Sequence, residues 1–301
     1  MQCMLVKNNK KHDEGKIILV TGGAGFIGSH LIEKLLRINP NYKIYSLDNY
    51  FTGKEENHID GAIYIKGGTK DIDKLIKIKP NLVFHLGEYS RVESSFDDIE
   101  KVFEFNKIGT FSVLEFCRKN NCKLVYAGSS TKFADGGLGR DQSPYAWTKA
   151  TNTELVINYG NWYGLKYAIT YFYNVYGGRE IKDGKYATVI GIFKEKHRKS
   201  EPLAVVSPGT QIRNFTHIDD IVDGLILVGE KGEGDGYGLG SEEAFTIKEI
   251  AEMFGREIIM LPERKGNRMQ AYVDVTRAKH EFGWEAKNSL KEHIFNYISY
   301  L

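Results

Sequence analysis

Two side chains of opposite acid–base character, Tyr145 and Lys149, stand four residues apart in the run Ser143-Pro144-Tyr145-Ala146-Trp147-Thr148-Lys149. On a helix they project from one face, one turn from each other. A phenol with an ordinary pKa of about 10 is a poor base at neutral pH, but a nearby ammonium and the positive ring of an oxidised nicotinamide both stabilise the phenolate. A hydroxyl proton could then leave to Tyr145 as a hydride leaves to a cofactor. In a chain with 18 tyrosines the spacing alone says little, so the chemistry depends on a nicotinamide reaching the same place. Ser143 reads as an N-cap and Pro144 as the first helical residue, opening a helix that runs to about Trp162.

The nicotinamide is announced by Lys16 to Gly28, KIILVTGGAGFIG. Ile17 to Val20 form a continuous aliphatic run suited to a strand buried on both faces of a parallel sheet. Gly22, Gly25 and Gly28 permit a tight turn, close approach of backbone N–H groups to a pyrophosphate, and close helix–strand packing. From Phe26 and Ile27 onward the apolar residues recur at helical spacing, so the turn ends at a helix N-terminus that favours an anion. The strand KIYSLD ends in Asp48, twenty positions after Gly28, where a carboxylate accepts hydrogen bonds from the adenosine ribose. A 2′-phosphate would meet a like charge there, so the reading is NAD rather than NADP.

The remaining elements must carry these groups to one edge. Strands are expected at 62–66, 81–86, 123–127 and 166–174, with a long amphipathic helix at 99–119. Strands alternating with helices imply an α/β fold, a right-handed, doubly wound parallel Rossmann sheet. Ligands in such sheets sit beyond the strands' C-terminal ends, which brings Gly22–Gly28, Asp48, Leu86-Gly87 and Ser129–Thr131 to one crevice. The expected division is a flexible lead-in at 1–15, an NAD-binding domain at 16–177, and a smaller α/β substrate lobe at 178–301. Some segments of the last, such as 213–230, return to the sheet. Glycines from Gly232 to Gly240 read as irregular chain, and Asp219-Asp220 as the cap of a helix at 218–230.

At 301 residues, 42% hydrophobic and 27% charged, the composition is that of a globular protein with a large core. A net charge of +2 without long single-sign blocks argues against nucleic acid as partner. No apolar run approaches a membrane span, and the polar first fifteen residues lack a signal peptide's apolar segment. Cys3, Cys117 and Cys122 show no metal-ligand spacing and fit a reducing cytoplasm.

Several motifs together resemble the extended short-chain dehydrogenase/reductases, and more closely their NAD-dependent nucleotide-sugar epimerase/dehydratase branch. They are Thr21–Gly28, Asp48-Asn49, His85-Leu86, Asn106-x-x-Gly109-Thr110, Ser129-Ser130, Tyr145-x-x-x-Lys149, Asn174-Val175-Tyr176-Gly177, Arg213-Asn214-Phe215-x-His217-Ile218-Asp219-Asp220 and Gly283-Trp284. The resemblance implies oxidation of a sugar hydroxyl, usually at C4, in a nucleoside-diphosphate sugar. Tyr145 would be the base, Lys149 its tuning and ribose-binding partner, and Ser130 or Thr131 the bridging hydroxyl. Gly22, Gly25, Phe26, Ile27, Gly28, Asp48, Asn49, Leu86, Gly87, Asn106 and Ser129 would hold the cofactor. Asn174, Arg179, Arg213 and Arg268, with Glu88 and Lys132, would meet the substrate, the arginines suiting its diphosphate. The family also pairs helices like those at 99–119 and 143–162 into a homodimer.

Departures from the family pattern bear on the reaction. Lys132 stands where dehydratases carry an acid, so elimination loses its proton donor. Tyr171 replaces a usual Arg, Gly178 a Pro, Gly68 an Asp, and Gly87-Glu88 a pair of alanines. The stretches YAGSSTKF and PYAWTKATNTELV look like nucleotide-sugar 4-dehydrogenases of bacterial surface-polysaccharide pathways, including those acting on GDP-activated heptose. Three readings stand: a 4-dehydrogenase, favoured here; a 4-epimerase; and an idle NAD-binding sensor, against which Tyr145 and Lys149 argue.

Overall fold

The computed structural model describes residues 15–263 and 273–300. Its centre is a sheet of β1 (Ile17–Thr21), β2 (Lys43–Asp48), β3 (Ala62–Lys66), β4 (Leu82–His85), β5 (Lys123–Ser129), β6 (Tyr167–Phe172) and a seventh strand, Gly234–Leu239. The order is β3-β2-β1-β4-β5-β6 with Gly234–Leu239 outside β6, and every pairing is parallel. This is the doubly wound α/β sheet that the alternation of elements implies.

Successive side chains of β1 point to opposite faces, and each face has its own helical cover. Ile18 and Val20 pack with Leu31, Ile32 and Leu35 of helix α1 (Phe26–Ile38) and with Ile221, Val222 and Leu225 of the helix Ile218–Lys231. Leu19 packs with Val113, Leu114 and Phe116 of Gly109–Asn120 and with Val156 and Tyr159 of Pro144–Tyr163. Each such fully buried side chain contributes about 1.5–3 kcal/mol, so both covers are required.

After β1 the chain turns to one face, and after β4, its neighbour, it turns to the other. The crevice opens between them, at the point where the strand order reverses. A smaller cluster of Tyr176, Phe193, Leu203, Val205, Phe215, Phe254 and Ile294 forms the core of the lobe beyond. There Leu203–Val206 pairs in parallel with Ile258–Leu261, and Ile212–Asn214 pairs antiparallel with Ala244–Thr246.

Three local expectations are corrected. The helix expected at 99–119 is α-helical at Ile99–Val102 and Gly109–Asn120, with a π-helical turn at Phe103–Ile108 between. Asn106 sits on that turn and spends its amide on the backbone of Tyr89, accepting from its N–H at 2.7 Å. His217, rather than the Asp219-Asp220 pair, caps the helix Ile218–Lys231, its Nδ1 accepting from the Asp219 N–H at 3.3 Å. The Asp220 carboxylate instead accepts from Asn288, at 3.0 Å from N and 2.9 Å from Nδ2. The glycine-rich stretch read as irregular is the seventh strand: a Cβ on Gly238 would lie 1.8 Å from the Asp274 carbonyl oxygen, so the close crossing of that segment demands glycine.

Candidate active site

The crevice holds a cleft of about 450 Å³. One end is the turn after β1. Gly22 has a φ of 75°, and a Cβ there would come 2.9 Å from the Cα of Gly87, so the exits of β1 and β4 touch. A Cβ on Gly28 would lie 2.2 Å from the Gly22 carbonyl oxygen, which seats α1 directly against the turn. Gly25 is the N-cap of α1 and no side chain caps the helix, leaving its N-terminal end to face the cleft at Phe26 and Ile27. Asp48 is only 6% exposed. Its Oδ2 accepts from the Ala24 N–H at 2.9 Å and its Oδ1 from the Tyr50 N–H at 2.8 Å, which aims the carboxyl at the cleft wall beside Asn49. Burial raises this carboxyl above its ordinary value, and the two N–H groups oppose that. A bare helix N-terminus followed by a ribose-height carboxylate fits a dinucleotide.

The other end is built on Pro144–Tyr163. Ser143 caps it, its Oγ accepting from the Ala146 N–H at 3.1 Å, and Pro144 occupies the first turn as the local rule requires. Tyr145 and Lys149 both line the cleft. The Tyr145 hydroxyl lies 3.2 Å from Ser129 Oγ, which in turn lies 2.9 Å from Thr131 Oγ1. The hydroxyl in bonding range of Tyr145 is thus Ser129, expected among the cofactor ligands, and not Ser130 or Thr131. The reason is local: Ser129 ends β5 and caps a 3-10 turn at Ser130–Phe133, which carries the next two side chains around. Lys149 is buried and donates to the Ala127 carbonyl and to the Glu88 carboxylate.

Gly22, Gly25, Phe26, Ile27, Gly28, Asp48, Asn49, Leu86, Gly87, Glu88, Ser129, Ser130, Thr131, Tyr145, Lys149 and Asn174 all line the cleft. Four expected residues do not. Asn106 is fully buried behind the wall, where it accepts from the Tyr89 N–H and donates to Thr148 Oγ1. Lys132 is turned to the far side, where its Nζ donates to the Tyr171 hydroxyl at 2.6 Å and pairs with Asp235 at 3.5 Å. Arg179 reaches back to Glu33 of α1 at 2.8 Å. Arg213, on the strand Ile212–Asn214, donates to the Ile212 carbonyl at 2.8 Å. Arg268 lies outside the described residues. Asn174 has a φ of 36° and donates through Nδ2 to the Asn214 carbonyl at 2.8 Å, tying the lobe to β6.

The sequence reading missed Arg91. Its guanidinium lines the cleft near Tyr145 and is latched by Nε to the Tyr186 carbonyl at 2.8 Å and by Nη1 to the Ser90 carbonyl at 3.0 Å. It stands in a polar run, Ser90-Arg91-Val92-Glu93, that carries no periodicity. Phe51, Phe105, Thr188 and Phe215 add to the lining from four separate segments. Among the described residues no group of His, Cys, Asp and Glu could hold a metal ion, and no helix is long and apolar enough to cross a membrane.

A dinucleotide turn and a Tyr–Lys pair facing one crevice at the switch point of a parallel sheet define a nicotinamide-dependent enzyme class. Residues 18–240 match the family model described as the NAD dependent epimerase/dehydratase family, and the chain belongs to that family. It is 33% identical over 303 residues to the Methanocaldococcus jannaschii protein named "Putative UDP-glucose 4-epimerase", covering 95% of this chain and 98% of the relative. The structure of a Thermotoga maritima UDP-glucose 4-epimerase with UDP-glucose superimposes with a TM-score of 0.86 at 28% identity, over 94% of this chain and 98% of that one. A Thermus thermophilus UDP-glucose 4-epimerase complexed with NAD superimposes with a TM-score of 0.84 at 28% identity, with the same coverage.

Proposed function

We propose that this protein oxidises the C4 hydroxyl of a nucleoside-diphosphate sugar, with NAD as acceptor and Tyr145 as base. The observation that carries the reading is the Tyr145 hydroxyl, 3.2 Å from Ser129 Oγ in the cleft, on the helix face that also presents Lys149. NAD, when bound, would supply the hydride acceptor. Tyr145 takes the hydroxyl proton, Ser129 orients that hydroxyl, and Lys149 provides the cation beside the phenolate. Asn174 lines the cleft where the lobe meets the sheet and is the residue proposed to meet the diphosphate.

Asp48 sets the choice of dinucleotide. Both its oxygens are already fixed by backbone N–H groups, so it cannot swing away from a 2′-phosphate. NAD is expected to bind at least about tenfold more tightly than NADP, from the loss of one charged hydrogen bond worth about 1.5–3 kcal/mol. Fluorescence titration with both dinucleotides checks this, and tighter NADP binding overturns it.

Elimination of water is disfavoured by the inventory of acids. Among the described lining residues the carboxylates are Asp48, at the adenosine end, and Glu88, whose oxygens are already filled by four donors. Neither is placed to give a proton to a departing hydroxyl, and Lys132 points elsewhere.

The fate of the keto sugar separates two readings. Return of the hydride would make the protein a 4-epimerase, and the relatives named above support that. Release of the 4-keto sugar would make it a 4-dehydrogenase of surface-polysaccharide biosynthesis, with GDP-heptose among the candidate substrates; the Tyr126–Phe133 and Pro144–Val156 stretches support this one. Mass spectrometry after incubation with NAD and a panel of UDP-, GDP- and dTDP-sugars decides. An isomer of unchanged mass establishes the epimerase, and loss of two hydrogens with a rising reduced-nicotinamide band establishes the dehydrogenase. Loss of water overturns both.

The two helical segments beside the active site also leave an apolar face. Ile99, Phe103, Ile108, Phe111, Trp147 and Trp162 are 38–59% exposed, and Phe103 stacks on Trp147 at 5.7 Å. A second copy of this chain, offering the same self-complementary face, is the proposed occupant. Light scattering is expected to give a dimer at micromolar concentration, and a monomer overturns it.

A further inference from the structure

Beneath the Tyr–Lys pair lies a carboxylate that the proposed chemistry does not use. Glu88 leaves β4 three residues after His85, and its side chain is 4% exposed. Its Oε1 accepts from Thr110 Oγ1 at 2.6 Å, Asn152 Nδ2 at 3.0 Å and the Tyr126 hydroxyl at 3.2 Å, while its Oε2 takes the Lys149 ammonium in a close ion pair.

The direction of every proton in this network is set by its ends. Thr21 Oγ1 accepts from the N–H groups of Leu86 and Gly87, at 3.2 and 3.0 Å, so its own proton goes to His85 Nδ1 at 2.7 Å. His85 is therefore protonated on Nε2, which donates to Thr110 Oγ1 at 3.0 Å, and Thr110 passes its proton to Glu88. Burial lowers His85 to about 4, which keeps it neutral as this tautomer requires. Every donor ends on one carboxylate, and such a sink is ionised. Burial pushes the Glu88 carboxyl up, but Lys149 beside it, with the hydrogen bond from Thr110, outweighs burial and holds it below the ordinary carboxylate value.

We infer that Glu88 is a positioning residue and buried counter-ion for Lys149: it draws the ammonium against the Ala127 carbonyl and sets the pH at which Tyr145 becomes a phenolate. The inference rests on the reading of Tyr145 as base. A free ammonium beside the phenol favours the phenolate, and an ion pair of zero net charge favours it less. The other groups around Tyr145 do not change this sign. From its own helix comes Lys149; from the segment after β4, Glu88 and Arg91; from β5, Tyr126 and Ser129; from the π-helical turn, Lys107, engaged with Asn152 Oδ1 at 2.8 Å. Arg91 is untouched when Glu88 is replaced, and Lys107, which Glu88 also attracts, remains a cation, so neither reverses the sign.

The test needs NAD and no sugar. Phenolate absorbance is followed against pH in the NAD-bound protein, and subtracting the same titration of Tyr145→Phe isolates one tyrosine among 18. In a Glu88→Gln background the isolated transition is expected about one pH unit lower, the size of effect a single close charge exerts. A merely structural role for Glu88 would not move it. An unmoved or raised midpoint overturns the inference, whereas absence of any isolated transition in the parent protein overturns Tyr145 as base. If Glu88→Gln does not fold, judged by NAD binding, Glu88→Ala is read by the same criterion, because it removes the charge without adding a donor that faces Lys149.

Discussion

Tyr145→Phe is expected to slow sugar oxidation by about 10²–10⁴-fold, the contribution of a positioned general base, while NAD still binds. The substitution deletes one oxygen and keeps the ring. Ser129 Oγ loses that partner but retains Thr131 Oγ1 at 2.9 Å, so the end of β5 keeps its turn. The dinucleotide turn and Asp48 belong to other elements and are untouched. Stopped-flow absorbance of the reduced nicotinamide, with the most active sugar of the panel, measures the loss. A variant that keeps more than about a tenth of the parent rate would remove Tyr145 from the role of base.

Lys149→Met is expected to destabilise the fold by about 3–5 kcal/mol, besides weakening NAD binding and slowing oxidation. Lysine and methionine are close in volume, so packing changes little. The cost comes from Glu88, left without its counter-ion in a site where both side chains are at most 5% exposed. Adding Glu88→Gln should recover most of that stability without recovering the rate, because the charge is gone but the ammonium is still missing. Urea unfolding of the two single variants and the double variant forms the cycle that isolates the pair. A loss below about 1 kcal/mol for Lys149→Met would show that the pair is not buried as described.

The departure at positions 87 and 88 takes on a meaning here that the sequence reading did not give it. The sequence reading placed Glu88 among the residues that would meet the substrate. Its carboxylate instead closes a network running from Thr21 through His85 and Thr110 to Lys149, and those residues come from β1, β4, Gly109–Asn120 and Pro144–Tyr163. Register supplies the first link, since Thr21 and His85 are neighbours across the β1–β4 pairing. No spacing rule connects residues 21, 88 and 149. Lys132 is the converse case: adjacent to a catalytic stretch, it reads as a site residue, yet the turn after Ser129 sends it to Tyr171 and Asp235.

What the sequence determined by itself is what depends on neighbours within one element or one connection. The aliphatic run before Gly22, the glycines that admit a helix against their own turn, Asp48 at a strand end, the Ser143-Pro144 cap and the four-residue step from Tyr145 to Lys149 are all local. Each could be read without knowing where the rest of the chain goes. Tertiary structure alone decided which hydroxyl meets Tyr145, which face Lys132 takes, that Arg91 enters the cleft, and that Gly234–Leu239 is a strand rather than a loop. Those outcomes depend on atoms brought together across the sheet from distant parts of the chain. A glycine shaped by a crossing segment or a carboxylate chosen by a buried ammonium leaves no periodic trace, because the partner that explains it lies elsewhere in the sequence.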